Sequence, residues 1–296
     1  MSIRNNFDRV SPKDLNQDTP IAPEQTTENT TQPDPQIKPM SFAAPTEFVE
    51  LPSKGNYYFE GHPLHGTQSV EIKYMTAKEE DILTSKTLLK KNLTLDRLLQ
   101  SILVDKSINP QDLLVGDKNA IIIASRITGY GAEYNTSVKC PSCGEPNKFS
   151  INLEDALADG VKDTAVDEED ATETGHGTYI VETPRTKAKV EIKFLNGHDE
   201  KRIQRAEEQR KRHKMPETLA TTSMAAFIVS VNDVQDPQYI ASFIENAPAA
   251  DARYVRQAFQ TLSPGVNMSF DFNCGACDHA QTMEVPLTAE FFWPQR

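Results

Sequence analysis

The placement of the four cysteines constrains this chain more than any other feature of its sequence. The stretch KCPSCGEPNKF contains Cys140 and Cys143, and the stretch FNCGACDHAQ contains Cys274 and Cys277. Each stretch holds one Cys-x-x-Cys pair, and Cys274 follows Cys143 by 131 residues. No cysteine is left over, so a fold that uses both pairs together has to bring two distant parts of the chain into contact.

Two Cys-x-x-Cys turns can supply the four ligands of one tetrahedral metal site, because each turn directs two thiolates to the same side. Structural zinc sites favour four sulfur ligands of this kind. The flanking sequences AEYNTSVKC and NKFSINL, and VNMSFDFNC and AQTMEVPL, predict a strand, a tight turn and a strand at each pair. We call these units the first and the second knuckle hairpin. We predict that they form one zinc-ribbon-like four-cysteine site for structural Zn2+, with ligands Cys140, Cys143, Cys274 and Cys277.

Several residues close to the cysteines in sequence are expected to affect the geometry of this metal site. Pro141 stiffens the first turn, and Gly144 and Gly275 are expected to relax the backbone where thiolates crowd a metal. His279 is a candidate donor to a cysteine sulfur. Zinc ribbons usually carry their pairs about 15–20 residues apart, so these hairpins must meet in space. A thioredoxin-type redox pair, which belongs near a βαβ pattern not seen here, and an iron–sulfur cluster stay open as alternatives.

The composition limits which partners we expect the protein to bind and in which cellular compartment we expect it to be made. The chain has 296 residues and a net charge of −12, so it repels phosphate backbones, and we expect no nucleic acid as partner. No run approaches the ~20 apolar residues that span a bilayer, so we expect no membrane segment. The prediction is a soluble protein made in a reducing cytosol, where paired cysteines favour metal over disulfide.

One segment has the opposite charge. The sequence EKRIQRAEEQRKRHK, 200–214, is dense in Lys and Arg. We predict that it forms a helix with a solvated, ion-paired face. A surface for an acidic partner is the alternative.

The pattern along the rest of the chain predicts an α+β fold of helical segments and β-hairpins. Thr76 with Glu79 forms a capping-box pattern at the start of a helix over 76–91. Apolar residues at helical spacing predict a second helix from Thr94, and a third covers 117–128. Further on, TYIVETP and AKVEIKFL predict a hairpin, and TLATTSMAAFIVSVNDV predicts an apolar helix. Two more helices are predicted in DPQYIASFIENAP and AADARYVRQAFQTL.

We divide the chain into five parts. They are a disordered tail (1–45), an N-terminal α+β region with the first knuckle hairpin (46–153), an acidic mobile loop (154–177), a hairpin plus helical insertion (178–262), and the second knuckle hairpin with a C-terminal aromatic segment (263–296). The tail is predicted to be disordered because its Pro-, Thr-, Gln- and Asn-rich sequence buries too little apolar surface to offset its ordering entropy. In the last part, Phe291, Phe292 and Trp293 are predicted to pack in the core, with an anchor for a partner as the alternative.

Catalytic signatures are missing from the sequence. It has no nucleophile elbow, phosphate-binding loop, G-x-G-x-x-G or H-E-x-x-H pattern. His62 and His65 in GHPLHG could bind a metal, but a turn with exposed imidazoles is the expected structure. We therefore predict no catalytic residues and no enzyme.

The motifs together resemble a known family. The stretch 48–134, from FVELPSKG to GYGAEY, followed by KCPSCGE, is similar to the baseplate hub subunits and hub assembly proteins of T-even-type contractile-tailed bacteriophages. The resemblance covers about 48–150 closely, and the second knuckle hairpin fits it. It implies a non-enzymatic structural or chaperone-like role in tail assembly, with other phage baseplate hub proteins as partners and homo-oligomerisation left open. The implied location is the host cytoplasm during assembly, with the virion tail baseplate as a second location left open.

Two other classes of function stay open. A zinc-ribbon module that binds nucleic acid, such as a transcription accessory factor, would need a basic or aromatic face around the knuckle hairpins. Here the basic Lys139 and Lys148 stand beside the acidic Glu145, Asp271 and Asp278. A hydrolase or oxidoreductase with scattered site residues is the other alternative, and a pocket lined with perturbed carboxylates or histidines would support it.

Overall fold

A computed structural model describes residues 44–159, 171–175, 177–216, 218–285 and 287–293 of the protein. Its helices are α1 (Ala77–Thr84), α2 (Lys86–Lys90), α3 (Thr94–Ile102), α4 (Val115–Tyr130), α5 (Leu153–Asp159), α6 (Gly197–Arg212), α7 (Leu219–Phe227), α8 (Pro237–Asn246) and α9 (Ala249–Leu262). Its strands are β1 (Thr46–Glu50), β2 (Ser69–Lys73), β3 (Glu133–Lys139), β4 (Pro146–Asn152), β5 (Ala171–Glu173), β6 (Thr178–Glu182), β7 (Lys189–Lys193), β8 (Ile228–Val231), β9 (Ser269–Asn273) and β10 (Ala280–Glu284). A short 3₁₀ helix covers Ala289–Phe292.

The strands form four small antiparallel sheets within the described part of the chain. Three are two-stranded, namely β1–β2, β3–β4 and β9–β10, and the fourth has the order β5–β6–β7–β8. The predicted α+β class, with helices and hairpins, is confirmed. The tail predicted to be disordered, 1–45, lies outside the described residues except for its last two positions.

The larger core joins the N-terminal half of the chain to its C-terminal end. Helix α3 contributes Leu98 and Leu99, and α4 contributes Ile121, all fully buried. Phe291 and Phe292 belong to the same core and are also buried. The terminal aromatic pair is therefore a core element, whereas the neighbouring Trp293 keeps 38% of its surface exposed.

A second core lies between the four-stranded sheet and helices α7, α8 and α9. Val190 and Ile192 on β7 are fully buried against residues such as Phe227 and Val255. The ring of Phe227 stacks on Phe259 of α9, with centroids 4.2 Å apart. The chain between the two knuckle hairpins thus carries its own hydrophobic core.

The start of α4 is fixed by a buried carboxylate. Asp117 accepts hydrogen bonds from the backbone N–H and the hydroxyl of Ser53 and from the hydroxyl of Tyr58. Burial raises the pKa of Asp117, and these donors oppose the rise. The loop between β1 and β2 is thereby held against the helix that leads into the first knuckle hairpin.

The same end of α4 touches the segment that leads into the second knuckle hairpin. A Cβ atom on Gly116 would lie 1.8 Å from the carbonyl oxygen of Pro264. Only glycine therefore allows this approach of helix and chain. The contact connects the chain before β3 to the chain before β9.

Three predicted elements differ in detail. The capping box of Thr76 and Glu79 is present, but the helix predicted over 76–91 is divided at Ser85, whose extended backbone ends α1. The third predicted helix runs longer, with Gly129 inside α4 and Gly131 as its C-cap at φ +87°. The prediction of one apolar helix in TLATTSMAAFIVSVNDV is wrong, because Ile228–Val231, three of whose four residues are β-branched, form β8 and pair with β7.

The acidic segment 154–177 also has regular structure at its ends. It begins within α5 and includes β5, which pairs with β6. The mobility predicted for this segment falls largely on residues 160–170, which lie outside the described part of the chain.

Candidate metal centre

The two knuckle hairpins have matching turns. Strand β3 pairs with β4, and β9 pairs with β10, so each Cys-x-x-Cys pair lies at the tip of a hairpin. The N–H of Cys140 donates to the carbonyl of Glu145 at 2.9 Å. In the second hairpin the N–H of Cys274 donates to the carbonyl of His279, also at 2.9 Å. The prediction of strand, tight turn and strand at both pairs is confirmed.

The left-handed backbone position of each turn directly follows its second cysteine. Gly144 occupies it in the first hairpin with φ +78°, as its predicted role requires. Asp278 occupies the same position in the second hairpin with φ +53°. The role predicted for Gly275 is wrong, because its φ is not positive and an added Cβ would meet only the side-chain oxygen of Asn147 at 3.7 Å.

The structure brings all four sulfur atoms together. The Sγ atoms of Cys140 and Cys277 are 3.6 Å apart, those of Cys143 and Cys274 are 3.7 Å apart, and all four lie within 4.8 Å of one another. None of the four forms a disulfide. Sulfur atoms around a tetrahedral metal with bonds of about 2.3 Å would lie about 3.8 Å apart. The arrangement therefore fits a tetrahedral ion that takes one ligand pair from each hairpin.

A small apolar cluster holds the two hairpins against each other. Phe149 of the first hairpin contacts Phe270 and Phe272 of the second, with ring centroids 5.3 Å and 5.2 Å apart. Phe272 is fully buried, and the first cysteine of each pair, Cys140 and Cys274, is buried beside it. The second cysteine of each pair is exposed. Each hairpin therefore offers one inner and one outer sulfur.

Asn147 links the first hairpin to the second. Its Nδ2 group donates to the carbonyl of Glu145 at 2.9 Å and approaches the Sγ of Cys274 at 3.6 Å. Its Oδ1 atom accepts the N–H of Gly275 at 3.0 Å. One amide thus contacts a candidate ligand and the turn that carries it. Sequence reasoning missed Asn147, because only the contact between the hairpins shows its position.

Hydrogen bonding makes the thiol of Cys274 more acidic than an ordinary cysteine thiol. The backbone N–H of Ala276, which lies 3.4 Å from the sulfur, lowers the pKa of Cys274 to about 6 against the effect of burial. The N–H of Cys277 and the amide of Asn147 contribute to the same shift. A deprotonated sulfur is the form that binds a metal.

The pKa of Cys143 is shifted in the opposite direction, because its contacts with the other three thiols raise it. The backbone of Glu145 lowers its pKa, but the neighbouring sulfurs, Cys277 first, and burial outweigh this effect and raise the pKa to about 12. The contacts with the neighbouring sulfurs thus favour the thiol form of Cys143. A cation among the sulfurs would replace the thiol protons.

The histidines do not join the cysteines. His279 contacts Gln281 through Nε2 at 3.2 Å, and no contact among the described residues supports its predicted role as donor to a sulfur. The ring of His62 is buried and stacks on Tyr58, with centroids 4.4 Å apart, and His65 bonds the carbonyl of Tyr58. Within the ranges that the structure describes, the four cysteines form the one group of His, Cys, Asp or Glu side chains placed to hold a metal ion.

The surface around the hairpins carries charges of both signs. Lys139 and Lys148 are exposed, and so are Glu145, Asp271 and Asp278. In the described hairpin residues no aromatic side chain is exposed. The continuous basic or aromatic face that a nucleic-acid module would need is therefore not formed by these residues.

Comparison with known protein families gives a match over most of the chain. A family model described as T4 bacteriophage base plate protein matches residues 45–293, which covers both knuckle hairpins and the chain between them. Neither the curated proteins nor the solved structures contain a match to the chain. In the described residues, every helix is too short or too polar to cross a membrane.

Proposed function

Because this chain belongs to the T4 bacteriophage base plate protein family, we propose that it is a non-enzymatic structural or assembly protein of the baseplate hub in a contractile phage tail. The observation that carries this proposal is the match of the family model over residues 45–293. A baseplate family points to a structural part rather than to an enzyme. Its partners would then be other baseplate hub proteins, and its place would be the virion tail baseplate or, while the tail is built, the host cytoplasm.

We further propose that Cys140, Cys143, Cys274 and Cys277 hold a structural Zn2+. The support is the spacing of their sulfurs, which all lie within 4.8 Å, at the tips of two hairpins distant in sequence. Four thiolates leave no coordination position for a substrate, so this metal would stabilise the fold rather than catalyse a reaction. The ion would fix the two ends of the intervening core against each other.

Mass spectrometry of phage particles tests the role in the baseplate. The copy number of the protein is measured in purified particles and in unfinished baseplates from infected cells. A fixed copy number in both identifies a structural hub subunit. Presence in the unfinished baseplates alone identifies an assembly protein, and absence from both samples contradicts the proposal.

The metal is tested separately by replacing one ligand. We expect Cys274→Ser to lose stoichiometric zinc and to lower the free energy of unfolding by about 4 kcal/mol or more, since loss of a structural metal is among the largest single effects. Elemental analysis and urea unfolding give the two readouts. Ser142→Ala is the control, because Ser142 is exposed between the two cysteines of the first hairpin and is not a candidate ligand. Full zinc content and normal stability in Cys274→Ser would refute the site.

A further inference from the structure

A basic groove lies between the turn after α2 and the side of α6. Lys90 lines it from the end of α2 and Lys91 from the turn that follows, and Lys201 and Arg205 line it from α6. Leu93 provides an apolar contact. Its volume is about 250 Å³. A second depression of about 180 Å³ shares Leu93 and Lys201 and adds Arg97. We use the name basic groove for both depressions together.

The cations of the groove are only partly neutralised. Lys201 pairs with Asp96 at 2.8 Å, and that carboxylate also faces Lys118 at 3.8 Å. Lys90, Lys91 and Arg205 are exposed and have no carboxylate partner among the described residues. The ion-paired face predicted for the charged helix is therefore incomplete on the side that faces the groove.

Unpaired cations in this position stand out because the chain is otherwise acidic. Its net charge is −12, with 43 acidic residues against 31 basic ones. Like charges gathered around one depression repel one another, and an anionic partner removes that repulsion. The groove thus has a local sign of charge opposite to that of the whole chain.

The lining favours carboxylates over nucleic acid. Arg205 and Arg97 can pair with carboxylates in a forked geometry, and the amides of Asn92 and Gln204 add hydrogen-bond donors. The described lining contains no aromatic side chain on which a base could stack. Leu93 can accept an apolar side chain of a bound peptide.

We propose that the basic groove binds an acidic segment of another protein. The proposal rests on the proposed function, because it gives the surface through which this chain would contact a neighbouring baseplate protein. The groove and the metal centre use different residues, so each can be changed without altering the other.

Binding of a defined acidic peptide tests the groove. The probe is a fluorescein-labelled peptide of alternating glutamate and alanine, added to the full-length, zinc-loaded protein and followed by fluorescence anisotropy. We expect the double variant Lys90→Glu with Lys91→Glu to bind at least about tenfold more weakly, a difference of about 1.4 kcal/mol. We expect Arg205→Glu to weaken binding in the same direction.

Two further variants separate the groove from general charge effects. Lys187→Glu with Lys189→Glu makes the same change in net charge at exposed positions of the β6–β7 turn and β7, and should leave the affinity unchanged. Glu208→Gln removes the exposed carboxylate from the lining and should tighten binding by about twofold to fivefold.

A zero-length carbodiimide crosslink locates the peptide, because it joins a lysine Nζ directly to a carboxylate. We expect peptide attached to Lys90 or Lys91 and not to Lys187 or Lys189. Equal binding by the groove variant and wild type would overturn the proposal, and so would stronger binding of a single-stranded oligonucleotide than of the peptide. Because these measurements use the isolated chain, a negative result leaves the copy number in phage particles as the separate test of the proposed function.

Discussion

Asn147 of the first knuckle hairpin contacts two residues of the second knuckle hairpin within the candidate metal centre. Its amide donates toward the sulfur of Cys274, and its oxygen fixes the N–H of Gly275 in the opposite turn. Outer hydrogen bonds of this kind orient ligands and stabilise the thiolate form. Asn147 is therefore placed to orient Cys274 and the turn that carries it.

We expect Asn147→Ala to weaken zinc binding by about 10- to 100-fold while keeping all four ligands. Competition with a chromophoric chelator measures the affinity, and the visible spectrum of the cobalt-substituted protein reports the ligand geometry. Asn147→Asp should bind zinc no better than Asn147→Ala, because it replaces the donor with an anionic oxygen beside Cys274. Asn135→Ala, an exposed change on the same hairpin, is the control. Wild-type affinity in Asn147→Ala would show that the contact does not position the ligands.

The individual residues of the site differ in how far the sequence reveals them. The four cysteines follow from their spacing, because the chemistry of a Cys-x-x-Cys turn is local. The prediction that a glycine relaxes the backbone holds for Gly144, which has a positive φ, but not for Gly275. In the second turn Asp278 takes the positive φ, which an aspartate indicates only weakly in a sequence. The sequence does not predict the contact between Asn147 and Gly275, because these residues are 128 positions apart.

Among the secondary-structure elements, helix α4 connects the segments that carry the two knuckle hairpins. It leads directly into the first hairpin, and its second residue touches the chain that leads into the second. The register of this contact depends on Gly116 having no side chain. The helix therefore sets where the hairpins can meet before any metal binds.

Gly116→Ala should lower the free energy of unfolding by about 3 kcal/mol, because the added methyl group would overlap the backbone of Pro264. Denaturant unfolding measures the loss. Gly129→Ala makes the same substitution in the same helix but meets only the flexible end of Met75, so we expect it to be close to neutral. A similar effect of both variants would mean that helix propensity, and not the close approach, controls the result.

A buried carboxylate couples α1, α3 and β2, and it predicts a dependence on pH. Burial tends to raise the pKa of Glu79, but hydrogen bonds from Ser101, Thr76 and Lys73 outweigh it and lower the pKa to about 2 from an ordinary 4.5. Because the folded pKa is lower, the stabilisation is complete above about pH 4.5 and is lost as the pH falls toward 2. We expect it to be roughly 2 kcal/mol at neutral pH, a value reduced for solvent screening.

Urea unfolding between pH 7 and pH 2 tests this sign. Glu79→Gln should be less stable at neutral pH and should lose part of the acid sensitivity of the wild type. Glu60→Gln, an exposed change in the loop before β2, should leave the profile unchanged. An unchanged profile in Glu79→Gln would show that the buried carboxylate does not contribute.

Sequence patterns predicted most elements, and the failures have a physical cause. The alternation in both knuckle hairpins and the capping box at Thr76 are local signals, so the sequence predicts these features correctly. The run Leu219–Val231 is mainly apolar and has no Gly, Pro, Asn or Asp inside it, so periodicity cannot divide it into α7 and β8. The division depends on pairing of Ile228–Val231 with β7, which is a long-range interaction.

At the scale of the whole molecule, the proposed ion would close a long loop of chain. Linking the two pairs encloses the second core and the helices between them, and a crosslink over such a distance stabilises mainly by restricting the unfolded chain. The aromatic contacts of Phe149 with Phe270 and Phe272 hold the same ends together without the metal. The metal would therefore strengthen a contact that packing already defines.

Removal of zinc with a chelator should loosen the hairpins more than the main core. We expect a loss of roughly 4 kcal/mol in unfolding free energy, the scale of loop closure over such a length. Hydrogen exchange should increase in 133–152 and 269–284 and change little in α3 and α4. Readdition of zinc is the control and should restore protection. Unchanged exchange in both hairpins would contradict a metal that joins them.

Because 131 residues separate Cys143 from Cys274, the ribosome synthesises the second cysteine pair some time after the first. At roughly 5–20 residues per second, the ribosome needs on the order of ten seconds to pass from the first pair to the second. During that interval the first pair offers only half of a coordination sphere, and cellular thiols compete with it for any ion. Zinc capture would then be a late event for each new chain, and it would mark that the whole intervening segment has been made.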